Sequence, residues 1–209
     1  MTALISPEIT LPFELQGDDF RLEPLTPAHV ELDYDAVMSS PTMLHHWSQS
    51  DWPAPNFTLH DNLKDLEWHH AEHLNHESFT YTVLTPDRQK CLGCVYINPP
   101  NRTLTEVNAT PQEIASLIGV TAIVDYWIRS DVRKQDFEFN FVTRLVHWLE
   151  NDWPLELIAY LTNQEMPTQI ELFNRIGFRP IPPLIHKLSG VAYLLFLNYQ
   201  KIFPIRLDQ

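Results

Sequence analysis

The chain has 209 residues, 44% of them hydrophobic and 11% aromatic, which is enough for one folded domain with a substantial core. Acidic residues outnumber basic ones by 27 to 14, and no segment concentrates Lys and Arg, which argues against nucleic acid as a partner. The longest apolar run, Val191 to Leu197, is too short to span a membrane, and the start of the sequence carries no basic leader. We therefore expect a cytoplasmic protein with no membrane partner.

The charge is distributed unevenly along the chain. Residues 1–100 contain 15 acidic and 4 basic residues, whereas residues 101–209 contain 12 and 10. An anionic cofactor should therefore prefer the second half of the sequence, and a cationic substrate the first.

The chain begins with an extension, residues 1–19, before the first patterned segment. Phe20 to Leu25 alternates between apolar and polar residues, which predicts a strand. Thr26 and Pro27 are typical of an N-cap and first helical position, so a helix should follow and reach about Met38.

The next segment, residues 39–56, contains prolines and two tryptophans without a clear period, which predicts an ordered loop. Thr58 and Asp61 have the spacing of a capping box and indicate a second helix ending near Glu77. Its predicted apolar stripe is Leu59, Leu63, Leu66, His70 and Leu74.

Residues 79–84 and 90–97 are both rich in β-formers and are separated by a turn signal at Pro86, which predicts an antiparallel hairpin. Residues 99–119 are polar and weakly patterned, apart from a short helix near Pro111 to Leu117. This stretch is expected to be a surface insertion, and its sequence does not indicate a function.

The last part of the chain alternates strands with helices. Strands are predicted over residues 120–128 and 157–161 and in a final hairpin that turns at Ser189-Gly190. A third helix follows the first of these strands, and a fourth runs from Pro167 to Gly177, where glycine suits the position after the helix end. The stripe of the third helix is Phe137, Phe141, Leu145, Trp148 and Leu149.

These elements predict an α/β (α+β) protein with a mixed, mostly antiparallel sheet of about seven strands and about four helices, forming one domain over residues 1–209. The order of its motifs resembles that of the GNAT superfamily of N-acetyltransferases, and of a bacterial branch of it. The motifs are F-R-L-E-P-L-T, F-T-Y-T-V-L with C-L-G-C-V-Y-I, D-Y-W-I-R-S-D-V-R, and T-N followed by L-F-N-R-I-G-F.

The resemblance implies acetyl-CoA as acyl donor, with no metal. Backbone groups around Trp127, Ile128 and Arg129 would hold its pantetheine, and an amide there would polarise the thioester carbonyl. The start of the third helix would receive the pyrophosphate. The side chains expected to contribute phosphate or cofactor contacts are Arg129, Arg133, Lys134, Gln135 and Asn163.

The chain departs from the family pattern at two places. Its turn lacks the glycines that let a backbone approach phosphate and carries Asp136 instead. The position of the family tyrosine that protonates the departing thiolate holds Phe173, so another tyrosine, such as Tyr160, would have to serve.

An acceptor amine must lose a proton before it attacks a thioester, because an alkylammonium has no lone pair. Asp125 is the candidate base, since its apolar strand neighbours would raise the pKa of its carboxyl group. The alternative is a structural role, in which Asp125 pairs with Arg129 or caps a bulge.

Two further patterns contain residue types that can bind a metal ion. His69, His73 and His76 share a helix face, but they lack the order of a zinc protease motif and are interpreted as solvated. Cys91 and Cys94 are three residues apart, so in a regular strand they point to opposite faces and cannot meet without a bulge.

Three functional hypotheses remain open. The first is an N-acetyltransferase acting on a primary amine of a cationic small molecule or peptide. The second is a GNAT-fold binding protein that has lost acetyl transfer, and the third is a metal-binding protein that uses the histidine helix. The sequence leaves open whether the protein is a monomer or a homodimer.

Overall fold

The protein is described by a computed structural model that covers residues 3–132 and 135–199. The helices in these residues are α1 (Val30–Met38), α2 (Pro41–Ser48), α3 (Leu59–Leu74), α4 (Pro100–Glu106), α5 (Pro111–Ala115), α6 (Gln135–Asn151) and α7 (Pro167–Arg175). The strands are β1 (Leu15–Gln16), β2 (Arg21–Pro24), β3 (Phe79–Leu84), β4 (Cys91–Asn98), β5 (Val107–Asn108), β6 (Ala122–Ile128), β7 (Ile158–Asn163), β8 (Arg179–Pro180), β9 (Leu184–His186) and β10 (Ala192–Leu197).

All strands belong to one sheet, in the order β1-β2-β3-β4-β6-β7-β10-β9-β5, with β8 paired to β10. The β6 and β7 pair is parallel, and the other pairs in the described residues are antiparallel. The predicted fold class is therefore confirmed, although the sheet has more strands than predicted. The three additional strands have two residues each, which is too short for alternation to be detected.

The two faces of β6 belong to different parts of the core. Val124, Tyr126 and Ile128 lie in the large cluster that includes the apolar side chains of α6 and α7. On the opposite face, Ile123 and Trp127 belong to two smaller clusters, the second of which includes side chains of α1 and α2. Asp125 lies between them on this second face, because side chains alternate along a strand.

The predicted loop over residues 39–56 contains helix α2, so that prediction is wrong. Pro41 occupies the first turn of α2, where a missing backbone N–H costs nothing, and Leu44 is completely buried. The helix has eight residues, which is too short to give a convincing period in the sequence.

The start of α3 was predicted correctly, and its packing face was predicted correctly only in part. Thr58 and Asp61 form the capping box, with each side chain accepting a hydrogen bond from the other residue's backbone N–H. Leu59 and Leu74 of the predicted stripe are 42% and 68% exposed. Leu66 of the stripe is buried as predicted, and the other buried side chains of the helix are the polar Asn62 and Glu72. None of the helices in the described ranges is long and apolar enough to cross a membrane.

Candidate active site

The parallel pair at the centre of the sheet opens part-way along its length. β6 and β7 are paired at Ala122–Ile158, Ile123–Ala159 and Val124–Tyr160, and no later pair forms between them. Both strands nevertheless continue, β6 to Ile128 and β7 to Asn163. The backbone edges that face each other beyond Val124 are therefore free of strand pairing, which creates a gap in the sheet.

The backbone of β6 presents alternate residues to this gap. The Arg129 N–H donates to the Leu92 carbonyl oxygen at 2.8 Å, so the peptide groups of Arg129 point towards β4. Adjacent residues of a strand direct their N–H and C=O groups to opposite edges, so those of Ile128 point into the gap. Of the three backbone positions expected to meet pantetheine, Ile128 is the one directed there.

Gln169 of α7 bridges the two diverging strands. Its side-chain NH₂ donates to the Tyr126 carbonyl oxygen on β6 at 2.9 Å, and its amide oxygen accepts from the Thr162 hydroxyl on β7 at 2.7 Å. Gln169 is 1% exposed, so both bonds are shielded from water. This amide closes the part of the gap next to Tyr126 and holds the strands at a fixed separation.

Asp125 is the first residue of β6 beyond the last position that pairs with β7. Its side chain lines two adjoining cavities. One has a volume of about 220 Å³ and includes Thr162, Asn163 and Tyr193 in its wall. The other has a volume of about 370 Å³ and lies against α2 and α3. The residues common to both walls are Trp47, Ser48, Asn98, Arg102 and Asp125. We refer to the two cavities together as the Asp125 cleft.

The environment of Asp125 favours its neutral form. Burial and the nearby Glu106 carboxylate raise the pKa of Asp125 to about 7, against the opposing effect of Arg102 and of a hydrogen bond from Asn98. Asp125 has no ion pair with Arg129, whose guanidinium bonds Asp35 at 2.8 Å and Asp131 at 2.7 Å. A carboxyl group with this pKa can exchange a proton near neutral pH.

Helix α4, in the segment predicted as a surface insertion, supplies part of the cleft. Arg102 forms an ion pair with Glu72 of α3, donates to the Asn98 side chain at 2.8 Å, and lies 5.3 Å from the ring centre of Trp68. Glu106 lines the smaller cavity, and burial raises its pKa. Neither residue was predicted as functional, because nothing in the local pattern of this segment indicates that it folds over β6.

Asn163 lies at the end of β7, as predicted, and lines the smaller cavity. Its NH₂ group donates to the carbonyl oxygens of His46 at 2.9 Å and Trp47 at 3.1 Å, and its oxygen accepts from the Glu165 N–H at 2.9 Å. In this arrangement, Asn163 connects β7 to the end of α2 and fixes the backbone of Trp47 in the wall of the cleft.

Tyr160 lies on the face of the sheet opposite Asp125. Its ring packs against Phe173 and Phe178 in the large cluster, and its buried hydroxyl has no hydrogen-bond partner in the described residues. Tyr193 of β10 instead lines the same cavity as Asp125. Burial, followed by the charges of Glu106 and Asp125, raises the pKa of Tyr193, so its hydroxyl stays protonated at neutral pH.

The expected pyrophosphate site is only partly within the described residues. Arg133 and Lys134 lie outside them, and α6 begins at Gln135. Asp136 is exposed in the first turn of α6. The start of a helix is the positive end of its dipole and attracts an anion, but the Asp136 carboxylate opposes that attraction.

His69 and His73 of α3 pack on the sheet and are not solvated as predicted, and His76 lies beyond the end of α3, with its ring 5.6 Å from that of Phe79. The His73 ring lies 5.2 Å from that of Phe79 and 5.5 Å from that of Tyr81, and burial lowers the pKa of His73 to about 4. The His69 Nδ1 lies 3.2 Å from the Thr80 hydroxyl. Within residues 3–132 and 135–199, no group of three or more His, Cys, Asp or Glu side chains is placed to bind a metal ion.

Cys91 and Cys94 lie on the same side of β4, because the strand has the bulge that such a meeting requires. The register between β3 and β4 shifts between Val83 and Leu84, so Leu92 is bulged and both cysteines join the same buried cluster. Both thiols are free. Burial raises the pKa of Cys94, which makes its thiol unreactive.

No family model matches the sequence, and no curated protein matches it. Solved acetyltransferase structures, however, match over most of the chain. The ribosomal-protein-S5-alanine acetyltransferase from Vibrio fischeri covers 90% of this chain and 96% of its own, with a TM-score of 0.65 and 13% identity. The ribosomal L7/L12 alpha-N-protein acetyltransferase RimL in complex with coenzyme A covers 87% and 93%, with a TM-score of 0.63 and 12% identity.

The microcin C7 self-immunity acetyltransferase MccE, in complex with acetyl-CoA and AMP, covers 87% of this chain and 91% of its own, with a TM-score of 0.64 and 15% identity. Another match is a GNAT-family acetyltransferase from Bordetella pertussis, with a TM-score of 0.62. The chain therefore has the fold of GNAT acetyltransferases, and the fold that its motifs predict is confirmed.

Proposed function

We propose that the protein is an acetyl-CoA-dependent N-acetyltransferase whose acceptor is a cationic primary amine. The observation that carries this proposal is the divergence of β6 from β7 after Val124, which leaves backbone groups unpaired beside a cleft that contains Asp125. The shared fold supports it, since structures with this fold include acetyltransferases in complex with coenzyme A and with acetyl-CoA.

The residues of the gap fit an acyl-CoA. Acetyl-CoA would supply a thioester whose carbonyl carbon is open to attack by an amine. The peptide groups of Ile128 would pair with its pantetheine, and the Ile128 N–H would donate to the thioester oxygen as negative charge develops. The first turn of α6, beginning at Gln135, would hold the pyrophosphate, together with Arg133 and Lys134.

Asp125 is the proposed general base. An acceptor ammonium group with a pKa of about 10 must lose a proton before its nitrogen can form a bond. With a pKa of about 7, the Asp125 carboxylate is partly ionised at neutral pH and is basic enough to take that proton, directly or through one water molecule. From its position at the mouth of the gap, the base would lie beside the expected thioester.

Tyr193 is the proposed proton donor to the departing thiolate, in place of the tyrosine that the chain lacks at Phe173. Its side chain borders the cavity that Asp125 also lines, whereas Tyr160 lies on the other face of the sheet. Burial, followed by the charges of Glu106 and Asp125, keeps the Tyr193 hydroxyl protonated, so it holds the proton that the thiolate needs. Asn163 would act indirectly, by fixing the backbone of Trp47. Gln169 would also act indirectly, by holding β6 and β7 apart.

The test begins with calorimetric titration of the protein with acetyl-CoA, followed by measurement of free thiol released over a panel of primary amines. We expect saturable binding and amine-dependent thiol release that is lost in Tyr193→Phe or falls by about tenfold to a hundredfold. Absence of both binding and release would refute the proposal.

A second candidate function is binding without turnover. The observation that favours it is the hydrogen bond from the Gln169 side chain to the Tyr126 carbonyl oxygen, which uses one of the acceptors in the gap. Saturable binding of acetyl-CoA with no thiol release from any amine in the panel would support this second function over the first.

A further inference from the structure

The larger cavity of the Asp125 cleft has an aromatic wall. Trp47, Trp52, Trp68, Trp127 and Tyr96 all line it. The Trp47 ring centre lies 5.5 Å from that of Tyr96 and 6.5 Å from that of Trp52, so these rings form a continuous surface. A cavity of about 370 Å³ falls within the range of small-molecule sites.

Three carboxyl groups face this cavity. Asp33, Asp65 and Asp125 line it, together with Arg102 and His69. The Arg102 guanidinium is already paired with the buried carboxylate of Glu72, so its charge is largely compensated within the protein. Asp65 and Asp125 form no ion pair in the part of the chain that the structure describes.

Asp65 is held beside the aromatic wall. Burial raises its pKa, while a hydrogen bond from the Trp52 side chain opposes that shift. Asp33 is 4% exposed and is engaged by the Asn62 side chain at 3.0 Å and by the Cys94 thiol at 3.3 Å. Asp65 is therefore the carboxylate of this wall that is available to a ligand in addition to Asp125.

Indole and phenol rings attract cations through their faces, and a carboxylate at the same site strengthens that attraction. A peptide main chain would instead bring several polar N–H and C=O groups that need partners, and rings supply few. We infer that the acceptor is a small arylalkylammonium compound, whose apolar body contacts Trp47, Trp52 and Tyr96 while its amine meets Asp125. This inference rests on the proposed acetyltransferase function, which it makes more specific.

The cavity can be tested without acetyl-CoA, by calorimetric titration with amines alone. We expect 2-phenylethylamine and tryptamine to bind at least tenfold more tightly than ethylamine, which has the charge without the ring, and than 2-phenylethanol, which has the ring without the charge. Equal affinity for 2-phenylethylamine and ethylamine, or tighter binding of a tripeptide with a free N-terminal serine, would overturn the inference.

Variants of the wall separate the contribution of charge from that of the rings. Asp65→Asn should weaken 2-phenylethylamine binding by about fivefold to thirtyfold, whereas Glu67→Gln, an exposed change of the same charge on the same helix, should leave it unchanged. Trp52→Leu should weaken binding more than Trp52→Phe, because phenylalanine keeps an aromatic face against which the ring of the ligand can pack. Equal effects of Asp65→Asn and Glu67→Gln would contradict the assigned role of Asp65.

Thiol release then separates the two proposals. If acetyl-CoA is consumed with peptide amines and not with arylalkylamines, the acceptor class is wrong and the acetyltransferase function stands. If arylalkylamines bind selectively but acetyl-CoA neither binds nor reacts, the transferase function fails while the character of the cavity is confirmed.

Discussion

Replacing Asp125 by asparagine should change activity and stability in opposite directions. Asparagine has nearly the same shape as aspartate but cannot take a proton from an acceptor amine. Removal of a general base of this kind typically lowers the rate by about 10²–10⁴-fold. We expect kcat/KM of the natural protein to rise with pH through about 7, and that rise to disappear in Asp125→Asn.

The effect on stability follows from the difference in proton affinity between the folded and unfolded chains. The pKa of Asp125 is about 7 in the folded protein, against 3.8 for an ordinary aspartate. The folded protein therefore holds a proton that the unfolded chain releases, and the resulting stability is complete below about pH 4 and lost as pH rises to about 7. At about 1.36 kcal/mol per pKa unit, the loss is at most roughly 4 kcal/mol, and less where water reaches the carboxylate.

Asp125→Asn does not undergo this loss, so it should be the more stable protein above pH 7. Urea unfolding at pH 5 and pH 8 should show the stability difference between Asp125→Asn and the natural protein widening by roughly 2–3 kcal/mol. Asp152→Asn, an exposed carboxylate, is the matched control and should show no such widening. A difference that stays constant between the two pH values would refute the reasoning about burial at Asp125.

Three other changes test separate parts of the site. Gln169→Leu removes two buried hydrogen bonds and should lower the free energy of unfolding, measured with urea, by about 2–5 kcal/mol. The control Gln164→Leu changes an exposed residue and should have little effect. Equal effects of the two substitutions would contradict the bridging role of Gln169. Asp136→Asn removes a carboxylate from the first turn of α6, where it would repel the phosphates of acetyl-CoA. The substitution should lower KM for acetyl-CoA by about twofold to fivefold at low salt and leave kcat unchanged. An unchanged KM would show that the phosphates bind elsewhere. Gly93→Ala would put a Cβ atom 1.9 Å from the Trp127 carbonyl oxygen and should destabilise the protein by about 3 kcal/mol, which thermal unfolding would measure.

The accuracy of sequence-based prediction differed along the chain for identifiable reasons. The stripe of α6, including the completely buried Phe141 and Leu149, was predicted correctly because a long amphipathic helix repeats its pattern several times. The stripe of α3 was right at Leu66 and wrong at Leu59 and Leu74, because that helix buries Asn62 and Glu72, whose polar groups are satisfied by partners on α1 and α4. A prediction based on hydrophobicity cannot identify a helix face stabilised by such partners.

The cysteine pair shows the same dependence on distant contacts. A regular strand would separate Cys91 from Cys94, but the register shift opposite Val83 bulges Leu92 and brings both to one side. The bulge appears in the pairing with β3, and its one sign in the sequence of β4 is Gly93, next to Leu92, because an isolated glycine within a strand pattern indicates a bulge.

The sequence by itself determined the order of the long elements, the fold class and the position of Asp125 on its strand, because these depend on local propensity and on the alternation of side chains. The tertiary structure alone placed Glu106 and Tyr193 beside Asp125, since they come from segments far apart in the chain. It also decided the pKa of Asp125, which depends on burial and on the Glu106 charge. Proton affinity is a property of the surroundings of a group, and folding creates those surroundings.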